Sequence, residues 1–166
     1  IAVANFLEAQ VRSKVSRTKN DMRSVVTALE AYRVDYNRYP PTQGPLEGRF
    51  APLSTPVAYI TSVPADPFGT GVPGTFNYTG GHLGYYTYDF VVKWTIRELW
   101  GWSFADTWWN DIMKGAMVAS PSTAEYYLAS AGPDKRVGVD AVGNPGFATP
   151  YDPTNGTVSW GDIHRI

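Results

Sequence analysis

Apolar positions in the first forty residues recur with the period of an α-helix. Met22, Val25, Val26, Leu29, Tyr32 and Tyr36 step by three and four residues along one face. Val11 and Val15 carry that stripe back towards Phe6 and Leu7, and the opening stretch Ile1–Leu7 is almost wholly apolar. No Gly or Pro interrupts residues 1–39, and Pro40-Pro41 predicts a firm stop. A helix of about 38 residues is roughly 57 Å long at ~1.5 Å per residue. That exceeds the width of a domain of this size, so part of it must project, pack on another subunit or enter a membrane. The middle, "RSKVSRTKND", is polar nearly all round and suits a solvated or subunit-facing stretch. The last part, "MRSVVTALEAYRVDY", is amphipathic and is predicted to pack on the rest of the chain. No second long amphipathic helix is present to complete a bundle.

Beyond Pro41 the pattern changes. Residues 40–83 are rich in Pro and Gly and read as loop, with a short helix expected in "PLSTPVAYI", capped by Ser54 or Thr55 with Pro56 in its first turn. Three stretches rich in Tyr, Val and Thr read as strands of a small antiparallel sheet: 84–92, 124–131 and 156–166. Between the first two lies an insertion, 93–123, predicted to hold a helix around 103–115. It carries five of the six Trp. The expected fold is a single α+β domain over 1–166: a long N-terminal α-helix packed on a small antiparallel β-sheet, with a Trp-rich insertion.

Composition narrows the chemistry. With 14 Lys and Arg against 15 Asp and Glu, the net charge of -1 gives no reason to expect nucleic acid as a partner. The absence of Cys excludes disulfides, thiolate metal sites and a Cys nucleophile. No run of 18 apolar residues exists to span a bilayer. "GTGVPG" fits a bare G-x-G-x-x-G string, but Pro67 and Pro73 deny it the strand-turn-helix setting a nucleotide site needs. There is no P-loop, G-x-S-x-G elbow or H-E-x-x-H. His82 and His164 read as surface residues. Glu98, Asp106 and Asp111 offer carboxylates near the Trp cluster, though nothing in their spacing singles out a glycosidase pair.

The segment "IAVANFLEAQVRSKVSRTKNDMRSVVTALEAYRVDYNRYP", with "LSTPVAYITSVPADPFG" and the ending "YYLASAGPDKRVG…YDPTNGTVSWGDI", resembles the type IV pilin-like family, in particular the major pseudopilins of type II secretion systems. The resemblance covers 1–69 and 124–166. It implies a non-enzymatic subunit of a secretion pseudopilus or surface pilus, a homo-oligomeric helical filament built through the N-terminal helix. Implied partners are other pseudopilins or pilins and inner-membrane components of the secretion system. The resemblance further implies a membrane-anchored precursor, with an apolar segment ahead of Ile1, and a periplasmic or extracellular filament after assembly. The family's Pro before Asn-Phe is Ala4 here, which predicts an unbroken helix ladder.

An apolar helix end outside its own domain needs a covering surface, and copies of a rod-and-head subunit joined head to tail form a helical filament. The candidate interface is Ile1, Val3, Phe6, Leu7, Val11 and Val15, rimmed by charges from Glu8 to Arg23. The major pseudopilins bind calcium in their C-terminal loop. The resemblance carries this onto Asp134 and then Asp152, with Leu128 and Ser130 offering oxygens. Asp140 and Asn155 read equally as turn formers. The Trp-rich insertion admits two readings. Trp94, Ile96, Leu99, Trp100, Ile112 and Met113 could form a satellite core, structural packing being the more frequent use of Trp. Alternatively Trp100, Trp102, Trp108 and Trp109 could be an exposed platform for carbohydrate, as in an adhesin.

Overall fold

The computed structural model describes residues 2–42, 46–69, 87–101, 106, 107, 109–111, 113, 123–135, 150–154 and 163–166. Helix α1, Ala2–Tyr36, is continuous through Ala4. At 35 residues it is about 52 Å long. It ends three residues before the expected residue 39, because Asn37 takes φ 54° and closes the last turn as a left-handed cap. Asn is one of the few side chains that tolerates this conformation. Arg33 in the last turn complements the helix dipole.

The chain then folds back on the helix. The Tyr39 hydroxyl donates to Glu30 at 2.7 Å and accepts from Arg33 at 3.1 Å. A one-turn helix α2, Leu46–Arg49, follows, then a 3₁₀ turn at Ala51–Leu53. The helix expected in "PLSTPVAYI" does not form. Ser54 closes the 3₁₀ turn, its amide and hydroxyl both donating to Ala51 O. The amides of Tyr59 and Ile60 then both return to Leu53 O, which leaves residues 54–60 as a loop wrapped around that turn.

Strands β1 (Asp89–Val92), β2 (Tyr126–Ser130) and β3 (Ile163–Arg165) form one antiparallel sheet with β2 in the centre. Phe90 pairs with Leu128, and Ser130 with Ile163. The strands are shorter than expected within the described residues; 84–86 and 155–162 lie outside them. Phe90, Val92, Tyr126, Leu128 and Ile163 belong to the same core as Val15, Met22, Val25, Ala28 and Leu29 of α1. Side chains alternate along a strand, so Val91, Tyr127 and Ala129 occupy the other face, and they too are buried. The central strand is thus covered on both sides.

Helix α3, Lys93–Trp100, begins directly after β1 and was not anticipated. Its first amide still bonds to Glu125 O at 2.9 Å, so the ladder runs into the helix start. Further on, residues 106, 107, 109–111 and 113 are helical, within the expected 103–115. Ile96, Trp109 and Met113 are buried, whereas Leu99 is 50% exposed and is not part of a satellite core. Trp94 packs on the main core. Ile112 and the Trp100 side chain lie outside the described residues.

Candidate assembly surface

One apolar stripe runs the length of α1, and only its upper part is covered by the subunit itself. Val15 is buried and Val11 is half-buried against the core. Below them Val3, Phe6 and Leu7 are 72%, 61% and 49% exposed. Their spacing of three and four residues puts them on one face. Residues 2–10 therefore project beyond the core by about 14 Å. Ile1 lies outside the described residues.

The flanks of this rod are charged. Glu8 pairs with Arg12, and Arg17 lies 3.5 Å from Asp21, each one helical turn apart. Such exposed pairs contribute about 0.3–0.5 kcal/mol. Asp21 also accepts from the Tyr88 hydroxyl at 3.3 Å, which ties the covered part of the helix to the head. Burial raises the Tyr88 phenol above its ordinary value, aided by Asp66 and Asp21.

The head carries a buried carboxylate that sequence reading missed. Asp66 accepts from the Phe68 amide at 2.9 Å, the Ser130 hydroxyl at 2.8 Å and the Ala131 amide at 3.2 Å. Burial raises its pKa, and these three bonds oppose the rise. The residue fastens the loop after α1 to the end of β2. In sequence it sits between two prolines and looks like a turn former, and its partner is 64 residues away. Arg49 is a second missed anchor. It donates to Asp89 at 3.1 Å and to Phe90 O at 3.0 Å, and both side chains are largely buried.

The calcium ligands expected from the resemblance are only partly described. Leu128 lies in mid-β2, and the Ser130 hydroxyl is bound to Asp66 while accepting from the Gly132 amide. Asp134 lies in the turn after β2. Asp152 accepts from the amide and hydroxyl of Thr154 at 2.8 and 2.6 Å, which lowers its pKa. Among the described residues no three His, Asp or Glu gather around a cation. Asp140 and Asn155 lie outside them.

The carbohydrate platform is corrected at its one described side chain: Trp109 is fully buried, because it packs into the domain. Trp102 and Trp108 lie outside the described residues. Of the three candidate carboxylates, Asp106 is engaged by Arg97 at 2.6 Å and Lys93 at 3.8 Å. His164 is not a surface histidine. Its ring lies 5.9 Å from that of Tyr127, and among the described residues neither nitrogen has a hydrogen-bond partner. Burial pushes its pKa down to about 4. His82 lies outside the described residues.

A long helix projecting from a small antiparallel sheet, with its apolar stripe running off the head, defines a pilin-like subunit. A model of the type II secretion system (T2SS) protein G family matches residues 5–91, just over half of the chain. The chain belongs to this family, that of the major pseudopilin. No curated protein and no solved structure shows significant similarity to it. Among the described residues no helix is long and apolar enough to cross a membrane.

Proposed function

We propose that this pseudopilin assembles with copies of itself into a helical filament through the exposed stripe of α1. The observation that carries this reading is the continuity of that stripe. Val3, Phe6 and Leu7 prolong the line of residues that packs on the sheet, and all three stay exposed. Burying such a face releases roughly 25 cal/mol per Å². Identical helices offer the matching surface, and a heterologous contact of this kind does not close. Other pseudopilins and the inner-membrane components of the secretion system are the further partners. The subunit waits in the inner membrane, joins a periplasmic filament and does no chemistry of its own. The test is expression of the natural precursor with its processing peptidase, imaged by electron microscopy. Filaments that vanish in Phe6→Asp support the reading; filaments unaffected by that change refute it.

Calcium in the C-terminal loop is part of this proposal and rests on the family resemblance alone. A bound ion stabilises the folded state by RT ln(1 + [L]/Kd), so the melting temperature is expected to fall when a chelator is added. An unchanged melt, with no calcium by elemental analysis, removes the ion.

A further inference from the structure

The other end of α1 carries a feature that lies away from the exposed apolar stripe. A cleft of about 300 Å³ opens between the end of α1 and the start of α3. Arg33, Arg38, Lys93 and Arg97 line it together with Trp94, and Glu125 is the only carboxylate among the lining residues. A second cleft of about 410 Å³ adjoins it and shares Arg33 and Glu125. The flanking Asp106 serves two cations at once, Arg97 and Lys93. Counting it and Glu30 of the second cleft, four cations face three carboxylates. The Arg38 guanidinium stacks over the Trp94 ring at 5.1 Å, and the indole is itself pinned by its N–H to Tyr39 O at 3.3 Å. That stack orients the guanidinium ahead of any ligand. Lys93 has a lowered pKa, from burial first and the neighbouring Arg97 second. The α3 residues Lys93, Trp94 and Arg97 lie beyond the part of the chain matched by the family model, whereas Arg33, Asn37, Arg38 and Tyr39 lie within it, so the cleft joins the family helix to the chain's own insertion.

We propose that the cleft docks an acidic peptide segment of a partner protein. Its cations already bind carboxylates within the chain, which shows the chemistry they accept. Arg97 places two nitrogens on Asp106, and Arg33 reaches Glu125 at 3.3 Å. The Arg33–Glu125 pair is exposed on both sides and therefore weak, so an incoming carboxylate replaces Glu125 at little cost. Cations spread over Arg33, Arg38, Lys93 and Arg97 suit a chain bearing several carboxylates better than a single small anion.

The test is a titration of the full chain with hexaglutamate at low ionic strength, followed by NMR at the Trp94 indole N–H. Saturable binding is expected, weakened about tenfold in Arg38→Gln and untouched in Arg12→Gln, whose cation lies on the projecting rod. Glu125→Gln removes the competing carboxylate and is expected to tighten binding several-fold, a gain that mere loss of structure does not produce. Binding that is absent, is equally weakened by Arg12→Gln, or is matched by inorganic phosphate at equal concentration overturns the proposal.

Discussion

The two halves of α1 obey one rule and meet opposite fates. From Val15 to Leu29 the stripe is sealed against the sheet, with Val25 and Leu29 at 0% exposure. From Val3 to Leu7 the same spacing leaves side chains roughly half to three-quarters exposed. Periodicity therefore reports that a face is to be covered, not by what. Cover within the subunit turns apolar residues into folding energy. Cover from outside turns them into association.

That contrast can be broken most sharply at its two ends. Leu29→Ala is expected to cost about 2–5 kcal/mol of unfolding free energy, measured by urea denaturation. Phe6→Ala is expected to stay within about 0.5 kcal/mol of the parent subunit while filament yield collapses. Equal destabilisation by the two changes would abolish the distinction between the halves.

Acid sharpens the comparison within the covered half. His164 prefers to be neutral in the fold, so its contribution is complete above the unfolded value near 6.5 and is lost as pH falls towards about 4. The loss amounts to about 3 kcal/mol. Asp66 has the opposite sign. Its raised pKa favours the protonated fold, so its contribution is present below the unfolded carboxylate value and fades as pH rises through the folded one. Denaturation midpoints from neutral pH down to about pH 4 are expected to flatten in His164→Gln and to steepen in Asp66→Asn. No change in slope for His164→Gln would mean that the imidazole stays solvated. The smallest effect lies on the rod: Arg12→Ala is expected to cost a few tenths of a kcal/mol, erased by salt.

Legibility followed the range of the interactions. The long helix was readable because its signal is local: a period of 3.6 and no Gly or Pro. Its end shifted to Tyr36 because Asn37 adopts φ 54° before Pro40 can act. The strands "DFVV" and "YYLAS" announced themselves through β-branched and aromatic residues. Helix α3 did not, because it follows β1 with no turn residue and its N-cap is Val92, which supplies no side-chain bond. Asp66 and Arg49 were invisible for a different reason. Each is defined by a partner 40 or more residues away, and nothing in the local string distinguishes an anchored Asp from one in a solvated turn. Of the six residues expected to face other subunits, Val15 is buried and Val11 half-buried in the subunit's own core, a long-range contact that the helical period alone does not reveal.

The return of Tyr39 onto Glu30 and Arg33 has a mechanical consequence. A tug on the projecting end along the axis of α1 loads the contacts of the sheet in shear, all together. Peeling, by contrast, would break them one after another from the top. The Tyr39 knot sits at that vulnerable top, where Glu30 and Arg33 hold the chain against the last turns. Resistance to an axial load is therefore expected to exceed resistance to peeling. The subunit's lifetime under load is set by the unfolding rate of the whole head, not by fraying of one helix.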